Sequence, residues 1–147
     1  MSERTRGRWL VVVQTGCCVT LIWWAWRAVF GNPWLVAGVA AGFALGASAV
    51  LAMRLGQLKV TPEPGENAEL VQRGPYRFIR HPMYAGLLLA MGMFALPSGL
   101  MIGASFWGIL LIVLIEKIRI EERHWEKRDA AYAEYVRKTK RLVPGLW

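Results

Sequence analysis

The sequence predicts an all-α integral membrane protein of about four transmembrane helices, segments three and four forming a helical hairpin, with a cytosolic C-terminal helix. Three observations lead there. Hydrophobic residues make up 55% of the 147-residue chain and charged residues only 19%, less charge than a soluble domain of this size carries. The apolar residues are gathered into long runs instead of amphipathic spacing, and a run of about 20 residues crosses the hydrocarbon core as a helix. The eight Trp residues suit the headgroup level, which the indole ring prefers. A chain of this length makes one domain.

The first segment follows a short basic start containing Arg4, Arg6 and Arg8 and runs from about Trp9 to Phe30. It exceeds the apolar core of a signal peptide and has no small-x-small cleavage pattern, so a retained transmembrane helix is expected. Gly31-Asn32-Pro33 ends it: Asn32 can cap and Pro33 can open the next helix. The second segment, about 34–53, spans roughly 30 Å as a helix. Its Gly38, Gly42 and Gly46 recur at four-residue spacing, which leaves one face bare for close approach of another helix.

Residues 54–75 change character. Thr61-Pro62-Glu63-Pro64-Gly65-Glu66 reads as a polar linker at the membrane surface. Pro82 opens the third segment, about 82–96, only about 21 Å long at 1.5 Å per residue; it must tilt, borrow from Tyr76–His81, or sit partly within the protein. Pro97-Ser98-Gly99 makes a tight break before the fourth segment, about 100–116. No breaker separates that segment from Lys117–Arg128, so the helix should continue out of the membrane into a cytosolic helix and tail, 117–147.

Charge sets the orientation. The formal net charge is +8, and all 18 Lys and Arg except Arg27 fall in the N-terminus, the Arg54–Arg80 loop or the C-terminal segment. With four crossings these three regions share one side, so both termini and the polar residues are expected in the cytosol by the positive-inside rule. In a bacterium that means the inner membrane. The same placement accounts for the basic balance through anionic lipid instead of nucleic acid, which is not expected as a partner. Cys17 and Cys18 are adjacent within the first apolar run; neighbours do not form an ordinary disulfide, and without a Cys/His cluster no metal site is expected.

Two polar clusters could carry chemistry. Gly74-Pro75-Tyr76-Arg77-Phe78-Ile79-Arg80-His81-Pro82-Met83-Tyr84-Ala85-Gly86 packs Arg, His and two Tyr around a membrane entry point. Pro82 at a helix start fixes the approach of His81. His81 and Tyr84, three apart, can share a face, and Gly86 leaves room for a flat group or a neighbouring backbone. Such a set suits an adenine ring, and it serves equally as an interfacial anchor. In Glu116-Lys117-Ile118-Arg119-Ile120-Glu121-Glu122-Arg123, the spacing of Glu116, Arg119 and Glu122 makes an acid–base–acid ladder. It can hold an ammonium and an anionic group, or be a solvated salt-bridge ladder.

Arg80-His81-Pro82-Met83-Tyr84-Ala85-Gly86 resembles the RHPxYxG signature of the isoprenylcysteine carboxyl methyltransferases and the related phospholipid methyltransferases. The resemblance continues through Gly74-Pro75-Tyr76-Arg77. It resumes downstream at Glu121-Glu122, Tyr132-Ala133-Glu134-Tyr135 and Thr139-Lys140-Arg141-Leu142-Val143-Pro144. It covers about half the chain. What it implies is a methyltransferase that uses S-adenosylmethionine and acts on a lipophilic acceptor, a prenylated-cysteine carboxylate or a phospholipid amine, arriving from the bilayer. Tyr76, Arg80, His81, Pro82, Tyr84 and Gly86 would line the cofactor, with Glu121 or Glu122 at its methionyl end. Arg119 and Glu122 would be the catalytic residues, Arg119 nearest the acceptor.

Where family members usually carry Phe-Gly, this chain has Asp129-Ala130, a departure that bears on the substrate more than on the cofactor. Two other classes compete. Membrane sterol reductases carry a similar RHPxYxG segment and would use NADPH; a non-catalytic membrane subunit would use both clusters as anchors. Oligomeric state is not legible.

Overall fold

The computed structural model describes residues 3–53 and 69–145. The expected linker Thr61–Glu66 lies outside the described residues. Among them the chain is helical, with α1 (Glu3–Phe30), α2 (Pro33–Ala52), α3 (Pro82–Ala95), α4 (Ser105–Arg128) and α5 (Tyr132–Lys138) and no strand beyond a single parallel bridge between Ile79 and Lys140. Three helical stretches are long and apolar enough to cross a membrane: Thr5–Phe30, Pro33–Ala52 and Leu100–Arg128. The remaining apolar helix, Pro82–Ser98, is shorter, in line with the length expected for segment three.

The punctuation falls where the residues place it. The Asn32 side chain accepts a hydrogen bond from the Trp34 backbone N–H at 3.0 Å, and Pro33 opens α2 without losing a donor. Leu96–Ser98 is a single 3₁₀ turn, and Gly99, at φ +78°, reverses the chain in a conformation that side chains other than glycine rarely adopt. A π-helical turn, Leu100–Ala104, then leads into α4. One boundary differs from expectation. Helix α1 begins at Glu3, about a turn and a half before Trp9, because Arg4, Arg6 and Arg8 all tolerate helix and nothing there breaks it. At the other end α4 stops at Arg128, where the expected helix gives way to the tail; Asp129 is extended, and its side chain accepts from the Ala131 N–H at 2.9 Å to start the next turn.

Helices α1, α3 and α4 form the core, and α2 flanks α3. Cys17, Leu21, Ala25 and Val29, spaced four apart along α1, are buried against Leu88, Met91 and Phe94 of α3 and Leu110, Leu114 and Ile118 of α4. Cys17 is thus a packed thiol, and both cysteines are free. The glycine face of α2 meets α3. A Cβ at Gly42 would lie 2.6 Å from the Gly86 carbonyl oxygen, and one at Gly86 would lie 2.5 Å from the Gly42 carbonyl oxygen, so the two backbones touch. The remaining bulky side chains, Trp23, Trp24, Phe30, Trp34 and Phe43 among them, are exposed on the outside of the bundle, as surfaces that face lipid are.

The bundle has one polar end. There the start of α1 meets α4 through Arg6 and Glu116 at 2.5 Å. The end of α2 is tied to the 73–76 segment by Arg73 Nε donating to the Ala52 carbonyl at 2.8 Å and by Tyr76 on the Met53 sulfur at 3.1 Å.

Candidate active site

The site is built where three chain segments converge at that polar end. The first is Gly74–His81. Gly74, at φ +60°, starts a 3₁₀ turn, Gly74–Arg77, and the chain then extends to His81, the N-cap of α3. The second is the last three turns of α4. The third is the tail after α5. It runs beside the first segment as a short parallel pair: Arg80 N donates to the Lys140 carbonyl at 2.7 Å, His81 N to the Arg141 carbonyl at 3.0 Å, and Lys140 N to the Phe78 carbonyl at 3.2 Å.

Glu122 is the hub. Its carboxylate is buried and accepts from Arg80 Nε at 2.9 Å on one oxygen and from Arg141 on the other, Nη2 lying at 2.8 Å and Nε at 2.9 Å. Two guanidinium groups from separate segments so hold its charge, which burial alone would disfavour. Arg80 also donates to the Thr139 carbonyl at 2.6 Å, closing the end of α5.

His81 lies between the two acidic residues, Nδ1 at 3.3 Å from Glu121 and Nε2 at 3.5 Å from Glu122. Burial would lower the imidazole pKa, but the two facing carboxylates outweigh it and raise it above the ordinary 6.5. Its Nε2 is buried, and the long approach to Glu122 is its polar contact among the described residues. Tyr84, one turn into α3, donates to Glu121 and stacks on the His81 ring at 5.7 Å with 10° between planes. Tyr76 is buried beside them; burial, and then the charge of Glu121, push its hydroxyl pKa up, so it stays neutral.

This combination of motif and placement agrees with the comparison of the chain with known families. Residues 57–127 match the isoprenylcysteine carboxyl methyltransferase (ICMT) family. The ICMT match takes in Tyr76–Gly86 and Glu121-Glu122, the two clusters that the fold brings together. Over 82 residues the chain is also 33% identical to the cobalt-zinc-cadmium resistance protein CzcN of Cupriavidus metallidurans, an alignment covering 55% of this chain and 38% of that protein. The chain thus spans well under two thirds of that relative's length. No solved structure matches it. Among the described residues no three His, Cys, Asp or Glu side chains stand together as a metal-ligand group.

Of the nine residues singled out by sequence, Tyr76, Arg80, His81, Pro82, Tyr84, Glu121 and Glu122 lie in or against this ICMT-like cluster. Gly86 faces away from it, its bare Cα filled by the α2 backbone; of the two occupants its sequence position allowed, the neighbouring backbone is the one present. Arg119 also stands apart. It pairs with Glu116 at 2.5 Å on an exposed face, its side chain 62% accessible. The expected ladder is therefore only half formed, because Glu122 turns instead toward Arg80 and Arg141.

Three contributors stand in the downstream ending of the motif without having been singled out as site residues. Arg141 supplies half of the Glu122 clamp. Tyr135 donates to the Tyr76 carbonyl at 2.8 Å, and Thr139 to the Tyr135 carbonyl at 2.7 Å, so the paired-tyrosine ending acts as a fastener between tail and site. Beside it a cavity of about 380 Å³ is lined by Glu126, Asp129, Ala130, Tyr132, Ala133 and Val136, at the place where Asp129-Ala130 departs from the usual Phe-Gly.

Proposed function

We propose that this chain is an integral membrane methyltransferase that takes its methyl group from S-adenosylmethionine and gives it to a lipophilic acceptor, with a carboxylate acceptor the leading case and a phospholipid amine the alternative. The observation that carries the reading is the joining of buried His81 and Glu122 with half-buried Tyr84 and Glu121 into one cluster within the ICMT-matching segment. The cluster's chemistry fits such a donor. His81 Nε2 is buried with only a long, 3.5 Å approach to Glu122, so the fold meets its polar capacity incompletely, an arrangement that is costly unless a ligand completes it. The stacked His81 and Tyr84 rings suit a flat heterocycle, and the Glu121 carboxylate suits an ammonium.

When bound, S-adenosylmethionine supplies a methyl group on a sulfonium, already activated for displacement. The protein's part is then to align and to exclude water. Glu122, locked by two arginines, fixes the His81 segment against α4; Tyr84 fixes Glu121. A carboxylate acceptor needs no base. An amine acceptor would have to attack as its free base. The polar end sits at the mouth of apolar helices, so an acceptor would enter sideways from the bilayer. By the charge rule this end faces the cytosol, where the donor is found.

The test is calorimetric titration of the detergent-purified protein with S-adenosylhomocysteine, beside His81→Ala and Glu121→Gln variants. Saturable binding that both variants weaken supports the reading. Absence of binding to folded wild-type protein, with binding of NADPH in its place, would replace it by a reductase.

A further inference from the structure

Lys117 lies in the second polar cluster without a role assigned to it from sequence, yet it is 2% exposed in the middle of α4. A buried ammonium carries a heavy desolvation cost unless its surroundings answer it. It sits where three helices meet. Its Nζ donates to Gln14 Oε1 of α1 at 2.9 Å and lies 5.2 Å from the centroid of the Tyr84 ring of α3, inside the range of a cation–π contact. Glu121 follows it by one helical turn on α4.

The Tyr84 ring is thus touched by Lys117, stacked by His81, and bonded through its hydroxyl to Glu121. A cation near the ring draws electron density from it and makes the hydroxyl a better donor, and hydrogen-bonded chains of this kind strengthen one another away from water. Gln14 in turn fixes the ammonium. It is a polar residue within the largely apolar part of α1, roughly 12 Å along the helix from Arg6.

We infer that Lys117 is a positioning residue of the methyl-donor site: oriented by Gln14, it holds Tyr84, and through Tyr84 it sets the Glu121 carboxylate and the His81 ring. Helix α1, which lies outside the ICMT-matching segment, is by this assignment part of the site's support. The inference rests on the methyltransferase reading for its ligand.

The experiment is S-adenosylhomocysteine titration of wild type, Lys117→Met, Lys117→Arg, Tyr84→Leu and the Lys117→Met/Tyr84→Leu double variant, each with a thermal melt. Lys117→Met should keep its melting temperature, since Met fills the place of the aliphatic stem, relieves the desolvation of a buried ammonium and leaves behind a neutral hydrogen-bond partner, Gln14, yet bind about tenfold more weakly, a coupling of the size contacting residues show. Lys117→Arg should recover part of the loss. In the Tyr84→Leu background the Lys117 substitution should cost nothing further. Wild-type affinity in Lys117→Met, or a loss that adds in full to that of Tyr84→Leu, overturns the assignment while leaving the methyltransferase reading intact. If Lys117→Met does not fold, Gln14→Leu takes its place: a several-fold loss at unchanged stability is expected, and unchanged affinity overturns the assignment. A folded wild type that does not bind overturns the methyltransferase reading and this assignment together.

Discussion

The α2–α3 seam and the Glu122 clamp join neighbouring parts of the same bundle by opposite physics. At the seam, Gly42 and Gly86 bring two backbones into contact, and nothing polar is exchanged between side chains. Lipid tails are as apolar as the helices, so this contact draws on dispersion and close fit alone. At the clamp, Arg80, Arg141 and Glu122 exchange charge-assisted hydrogen bonds among three separate chain segments. The seam should tolerate no added atom; the clamp should tolerate bulk but no loss of charge. Helix α3 belongs to both, and this is how a rigid apolar contact comes to position a polar site at its N-terminus.

The largest expected effect is at the clamp. Glu122→Ala leaves two guanidinium groups facing a buried gap, which should cost about 3–5 kcal/mol and show as a lowered detergent melting temperature. A melt like that of wild type would mean that the tail is held by its backbone pairing alone. At the seam, Gly86→Ala puts a Cβ 2.5 Å from a backbone oxygen and should cost about 1–3 kcal/mol. Gly46→Ala is the internal control, since a Cβ there meets nothing within 4 Å; equal destabilisation of the two would dissolve the distinction between seam and open face.

A smaller effect should follow pH. The His81 pKa is raised in the folded protein above 6.5, so its stabilising contribution is complete below pH 6.5 and is lost as pH rises through the folded-state value. The melting-temperature difference between wild type and His81→Gln should accordingly shrink from acid toward alkaline pH. A constant or growing difference would show that Glu121 and Glu122 do not hold a protonated imidazole. The smallest effect belongs to Arg119, exposed and paired only with Glu116: Arg119→Ala should change stability by less than about 1 kcal/mol and leave S-adenosylhomocysteine affinity as it was. A large loss of affinity would return Arg119 to the site.

How far the site was legible in sequence varies residue by residue. His81, Tyr84, Glu121 and Glu122 were readable because helix periodicity and a motif with Pro82 at a helix start put them on common faces. The partner of Glu122 was misread for the same reason. Spacing along one helix favours Arg119, three residues away, whereas the actual partners come from residues 42 and 19 positions distant. Arg141 and Thr139 sit in a tail whose path across the 78–81 segment no local pattern specifies. Lys117 read as one more charge in a mixed run, since its burial depends on α1 passing over it.

The sequence by itself determined the membrane class, the helix segments and their breaks, and the gathering of polar residues at one end. These follow from local properties: apolar run length, Pro and Gly backbone restrictions, and the high cost of charge in hydrocarbon. Only the tertiary structure decided which cation meets which carboxylate, that Gly86 serves packing, and that α1 reaches the site through Gln14. Those outcomes depend on helix rotation and on the tail's register, set by contacts between residues far apart in the chain.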